Sequence, residues 1–236
     1  GLDVGTVSAI FNAGSSFSSS SSGGGGGGGE SIWCEDPNKT DDDLGVETKI
    51  VSFNAAKNDP HGSAVMPLYQ TATFAQPSAT EFGPYDYTRS GNPTRDAAQK
   101  ILAELDGGCA SYVFSTGMAA IMAVTRFAQS GDEVILSDDS YGGTYRLLSQ
   151  VASRAGIKTT YVDLSGEEGP INLANAMNSK TALVMVESPT NPMMRVCPLQ
   201  ALADVCHSHS SRALLSVDNT LMSPLLMRPL GQLISN

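Results

Sequence analysis

From Thr94 onward the chain alternates short apolar runs with longer amphipathic stretches, and this alternation restricts its fold more than any other feature. The apolar runs at 110–114, 134–137, 159–162, 183–186 and 213–217 have the length and β-branched content of buried strands. Between them, 95–105, 118–128, 144–155, 173–178 and 199–207 space their apolar residues at helical intervals. Strands that are apolar on both faces and separated by helices imply an α/β fold, a mainly parallel sheet sandwiched by helices.

The flanking segments have a different character. Residues 1–48 form a Ser/Gly-rich and then acidic stretch, with seven consecutive glycines at 23–29, and read as a disordered tail. It lacks an initiator Met and any Arg, so it is expected to be the remnant of a targeting segment rather than an intact one. Residues 49–95 are dense in Pro and Gly and read as an extended arm. A domain is expected over 96–230, followed by a short tail at 231–236.

Composition removes several classes of function. A net charge of −10 argues against nucleic-acid and anionic-membrane partners, which require clustered Lys and Arg. No apolar run approaches the ~20 residues of a membrane span. Cys34, Cys109, Cys197 and Cys206 are scattered and form no CxxC pair, so free thiols are expected and no metal site.

In open parallel sheets ligands bind beyond the carboxyl ends of the strands. Four polar segments fall there: 115–118, 138–143, 187–192 and 218–220. Gly117 and Met118 open a helix, where outward N–H groups and the helix dipole suit a phosphate; a plain helix cap is the competing reading. Tyr141, before Gly142 and Gly143, offers a flat face to an aromatic ligand or else simply packs on its loop. Asp138 and Asp139 offer too few oxygen ligands for a hard metal and read as a solvated loop or helix start. Asp218 directly follows the run Ala-Leu-Leu-Ser-Val. A carboxylate there needs a partner, either a protonated ring nitrogen or the donors of its own loop. Tyr87 and Arg89 lie in the arm, where an Arg suits bidentate phosphate binding but is commonly just solvated.

The runs VMPLYQTATF (65–74), YDYTRSGNPTRDA (85–97), FSTGMAAI (114–121), DDSYGGTYRLL (138–148), ESPTNP (187–192) and VDNTLMSPLLMRPL (217–230) closely resemble the Cys/Met-metabolism family of pyridoxal-phosphate (PLP) enzymes. Within that family residues 77–97 look most like the plant-type cystathionine β-lyases, with the γ-synthases and γ-lyases as nearest rivals. The resemblance implies an incomplete fold-type-I large domain and pyridoxal 5'-phosphate as cofactor. It implies carbon–sulfur lysis of cystathionine to homocysteine, pyruvate and ammonia, in methionine biosynthesis. Gly117 and Met118 would then hold the phosphate, with Tyr87 and Arg89 reaching the phosphate of a neighbouring subunit. Tyr141 would stack on the ring, Asp218 would pair with its nitrogen, Thr220 would lie close by, and Asn191 would face the ring hydroxyl and substrate. A dimer-built tetramer and a chloroplast location are implied in the same way.

One element of the family pattern is missing. The Schiff-base lysine is expected beyond the Asp-Asn-Thr motif, yet the lysines are Lys39, Lys49, Lys57, Lys100, Lys158 and Lys180. Lys180 precedes a strand and is expected at the opposite end of the sheet. No catalytic residue is therefore assigned. The chain is expected either to be inactive alone, as a fragment or short form, or to pair with a full-length lyase as a non-catalytic subunit.

Overall fold

The computed structural model describes residues 7–10 and 61–233. The chain divides into two compact units, one combining Gly1–Gly27 with Phe114–Asn236 and the other comprising Gly28–Val113.

The first unit is built on a five-stranded sheet in the order β1-β5-β4-β2-β3. Its strands are β1 (Val7–Ile10), β2 (Glu133–Ser137), β3 (Lys158–Val162), β4 (Thr181–Glu187) and β5 (Leu214–Asp218). The β5-β4, β4-β2 and β2-β3 pairs are parallel, as the alternating pattern requires, while β1 runs antiparallel along β5. Val7–Ile10 lies inside the stretch read from sequence as a tail. Its four residues, VSAI, nonetheless supply a ladder to an edge strand whose backbone groups need partners.

Side chains alternate between two cores because successive strand residues face opposite ways. Ile135, Val184, Val186, Leu215 and Val217 pack with Leu173 of α4 (Gly169–Ala176) and with Leu202 and Cys206 of α5 (Leu199–Ser208). Val134, Leu136, Leu183 and Met185 pack on the other face with Ile121 and Val124 of α2 (Gly117–Thr125), and with Leu148. Leu148 lies on a continuous helical stretch in which α3 (Gly142–Arg146) passes into a π turn (Leu147–Val151) and a 3₁₀ turn (Ala152–Ala155). Each fully buried Val, Leu or Ile contributes about 1.5–3 kcal/mol, so the two cores dominate the stability of the unit. Two short helices, α6 (Ser223–Leu226) and α7 (Pro229–Leu233), follow β5.

One expected strand does not form. Residues 110–114 are irregular. The Val113 N–H donates to Gln99 Oε1 at 3.2 Å and Ser111 Oγ donates to the Gln99 carbonyl at 2.7 Å, so side-chain and carbonyl acceptors of a helix replace a strand partner. That helix is α1 (Pro93–Asp106), in the Gly28–Val113 unit. Asn92 caps its start by accepting from the Thr94 N–H, Pro93 fills the first turn, and Gly107 ends it at φ 70°.

The rest of that unit has little regular structure and is held by side-chain bonds to backbone. Asn92 Nδ2 donates to the Tyr69 carbonyl, Thr94 Oγ1 to the Pro67 carbonyl, and Gln76 Nε2 to the Tyr85 carbonyl. Tyr85 donates its hydroxyl to Asp96 at 2.9 Å; burial first, then that bond, pushes its pKa up to about 12.

Candidate functional site

The carboxyl ends of β2, β4 and β5 form the site, and the register brings two acids together there. Glu187 is the last residue of β4 and Asp218 the last of β5, and they are ladder partners. Beside them a narrow cavity is lined by Ile121, Ser140, Thr144, Met185, Glu187 and Asp218, among others. Its lining is mainly apolar, with two carboxyl groups, Glu187 and Asp218.

Asp218 is partly buried. Burial raises its pKa, while the Thr220 N–H at 3.1 Å and hydroxyl at 2.5 Å both donate to Asp218 Oδ1 and pull the other way. The structure thus joins the predicted pair Asp218 and Thr220 within one turn.

Glu187 is buried at 7% exposure. Its pKa rises to about 7, first because burial disfavours the charge and further because Asp218 and Asp139 are like charges. Two donors oppose that rise: the Tyr141 N–H, bonded to Glu187 Oε2 at 2.6 Å, and the backbone of Asn191. Both carboxyls are pushed up by burial; the Thr220 donors offset part of that rise at Asp218, while Glu187 reaches about 7.

Gly117 and Met118 are the first two residues of α2. Thr116 caps the helix through its side chain, accepting from the Ala119 N–H at 3.1 Å, and its carbonyl takes the Ala119 and Ala120 N–H groups. The N–H groups of Gly117 and Met118 precede any intrahelical acceptor and lie outside that cap, as an anion site requires.

Tyr141 immediately precedes α3. Its ring folds back over Gly143: a Cβ built there would stand 2.4 Å from Tyr141 Cε1 and 2.8 Å from Met118 Sδ. Gly143 therefore lets the Tyr141 ring and the start of α2 come together. The Tyr141 ring is 43% exposed, so it presents a face to ligand or solvent.

Asp138 lies exposed in the loop after β2, as expected, but Asp139 does not. Asp139 is buried, accepts from the Thr190 hydroxyl and from the Met193 N–H at 3.1 Å, and lies 3.7 Å from Arg195 Nε. Arg195 also reaches Asp138 at 3.4 Å and Asp163 at 3.0 Å. This network ties the loops after β2, β3 and β4 into one rim, because a buried carboxylate must find donors. Asn191 sits in the bound loop, between Thr190 and Met193.

Tyr87 and Arg89 belong to the other unit, where the Arg89 guanidinium lies 4.7 Å over the Tyr87 ring. Tyr87 also forms an isolated bridge with Thr73. The two residues share one face of the arm.

The sequence reading missed Glu187 as a site residue, and also missed the Asp139–Thr190–Arg195 network. A signal for Glu187 was available: it ends an apolar strand run in the same way that Asp218 does. The two lysines of this unit lie at the far end of the sheet, as expected for Lys180. Lys158 starts β3 and bonds Glu133 at 2.7 Å, and the Lys180 carbonyl accepts from the Glu133 N–H just before β4.

Residues 47–233 match the family described as "Cys/Met metabolism PLP-dependent enzyme". The chain belongs to this family. A chloroplastic cystathionine beta-lyase of Arabidopsis thaliana is 46% identical over 189 residues, which is 80% of this chain and 39% of the relative. A cystathionine gamma-lyase of Bacillus subtilis is 39% identical over 184 residues, covering 78% and 47% respectively. Among solved structures, cystathionine gamma synthase from Xanthomonas oryzae pv. oryzae in complex with cystathionine superposes with a TM-score of 0.73 at 34% identity. That superposition covers 80% of this chain and 48% of the other. The chain thus spans less than half the length of the relatives it matches, and its sheet and flanking helices are those of a fold-type-I large domain.

Proposed function

We propose that this chain forms the pyridoxal-phosphate cradle of a carbon–sulfur lyase acting on cystathionine. The observation that carries the reading is the partly buried Asp218 at a strand end, ladder partner of the Glu187 that bonds Tyr141, whose ring crowds Gly143 and Met118. The residues present fit the cofactor: Gly143 leaves room for the ring contact, and Gly117 and Met118 keep two N–H groups outside the helix cap.

In this reading Gly117 and Met118 bind the phosphate through backbone N–H groups. Tyr141 stacks on the pyridine ring. Asp218, oriented by Thr220, would accept a hydrogen bond from the protonated ring nitrogen and so keep that nitrogen charged. Bound there, pyridoxal phosphate supplies an electron sink for negative charge developing at the substrate Cα. Asn191 faces the ring hydroxyl and the substrate. Tyr87 and Arg89 serve the phosphate site of a neighbouring subunit in a dimer-built tetramer. The chloroplastic plant relatives support a chloroplast location. Release of homocysteine, pyruvate and ammonia is favoured over γ-chemistry by the higher identity to the plant β-lyases. Product analysis distinguishes these reactions.

Lys158 and Lys180 lie at the opposite end of the sheet, so neither can serve as covalent anchor or proton carrier at Asp218. With neither lysine of that unit at the site, the chain alone is expected to hold the cofactor without turning over cystathionine. Titration with pyridoxal phosphate, followed by visible absorbance and circular dichroism, tests this. Saturable binding is expected, weakened roughly ten-fold or more by Asp218→Ala, which removes a charge-assisted bond. Borohydride treatment should label no lysine. Absence of binding, or a labelled lysine accompanied by turnover, would overturn the reading.

A further inference from the structure

The Tyr141 carbonyl is held locally by the Tyr145 N–H at 3.1 Å, but its N–H finds no acceptor within its own turn. No side chain caps α3 at Tyr141, and the two residues after it are Gly142 and Gly143, which restrict the backbone least. The acceptor for the Tyr141 N–H comes from another strand. Glu187, 46 residues further along, accepts the Tyr141 N–H at 2.6 Å. The Asn191 backbone acts on the same carboxyl, so one side chain joins the turn after β2 to the loop after β4. Glu187 is also the ladder partner of Asp218.

We propose that Glu187 is a positioning residue of the cofactor site. From the end of β4 it holds the backbone of Tyr141 and Asn191, and so fixes where the Tyr141 ring stands relative to Asp218. This rests on the cofactor reading above but concerns a residue that the reading leaves without a role. A neutral, protonated carboxyl still accepts from Tyr141, so the role survives protonation. The charged groups facing Glu187 are Asp218 from β5 and Asp139 from the loop after β2, both acids. Asp139 joins the same two loops through Thr190 and Met193, and Asp218 is bonded to Thr220, but neither bonds the Tyr141 N–H, which Glu187 does.

Two readouts test the role. In the cofactor-free chain, Glu187→Ala should speed amide hydrogen exchange at Tyr141 by roughly ten- to a hundred-fold, the effect of losing a hydrogen bond to a carboxyl. Glu187→Gln, which keeps an acceptor oxygen, should restore protection. If the alanine variant does not fold, Glu187→Asp withdraws the carboxyl by one methylene and is read in the same way. With pyridoxal phosphate added, the visible circular dichroism per bound cofactor should fall roughly two-fold or more in Glu187→Ala, as a displaced ring no longer stacks. It should recover in Glu187→Gln. If wild-type protein binds no pyridoxal phosphate, the site reading fails and the positioning role fails with it. If wild-type protein binds while Glu187→Ala matches it in both exchange and dichroism, the positioning role alone is overturned.

Discussion

Glu187 and Asp218 stand side by side at the ends of adjacent parallel strands, where burial raises the pKa of both. Asp218 takes both donors of Thr220, whereas Glu187 is buried between two like charges and has its pKa raised to about 7. A carboxyl that keeps its proton to neutrality makes folding itself sensitive to pH.

The sign is opposite to that of an ordinary paired carboxylate. Because its folded pKa of about 7 exceeds the 4.5 of the free side chain, the native state binds the extra proton between those values. The burial penalty is absent below that window, grows through it and is complete above it, destabilising the fold by about 1–3 kcal/mol after allowance for solvent screening. Denaturant midpoints should show Glu187→Gln more stable than wild type at pH 8 and equal to it at pH 4. A constant difference across that range would contradict the assignment.

Gly143→Ala should disrupt the site more than the fold. The new Cβ meets Tyr141 Cε1 at 2.4 Å and Met118 Sδ at 2.8 Å, so the ring and the thioether must move. Both are side-chain ends, and the cost to stability is expected at about 1–3 kcal/mol. Cofactor affinity should fall much further, because two elements of the cradle shift together. Isothermal titration alongside thermal melting separates the two effects.

At the opposite end of the sheet Glu133 follows the usual sign. Burial alone would raise its pKa, but hydrogen bonds from Lys158, Thr160 and Asn178 together outweigh it and hold the group below 4.5. Its stabilisation is present above that value and is lost as pH falls through the folded pKa. Glu133→Gln should therefore cost about 1–3 kcal/mol at pH 7, with the difference shrinking below pH 4.

Leu202→Ala tests the core under β4 and β5. The side chain is 0% exposed and packs in the cluster with Val186, Leu215 and Val217. A loss of about 2–5 kcal/mol is expected from chemical denaturation. A loss well below that range would mean the α5 face can collapse onto the cavity.

The sheet was legible because β2, β4 and β5 carry apolar runs and β3 is rich in β-branched residues, and such strand character is a local property. Four of the five expected parallel strands formed within a residue or two of their expected ends. Residues 110–114 have the same apolar character but found their donors' partners on Gln99, a tertiary outcome that no window of sequence contains. Val7–Ile10 failed to stand out for the converse reason: four residues in a Ser- and Gly-rich stretch show no periodicity, and only the edge of β5 makes them a strand. At the site, Asp218 and Thr220 were readable because they are two residues apart. The bonds from Thr190 to Asp139 and from Glu187 to Tyr141 cross 51 and 46 residues, and only the parallel register creates them.

The rim network around Arg195 also has a consequence for how ligands arrive. Asp138, Asp139, Asp163, Glu187 and Asp218 all crowd the carboxyl end of the sheet, and the guanidinium among them is already shared by three carboxylates. A doubly charged phosphate ester diffusing toward this mouth is repelled before it reaches the N–H groups of Gly117 and Met118. Its association should quicken as added salt shortens the Debye length, which is about 10 Å at 0.1 M, the reverse of electrostatic steering.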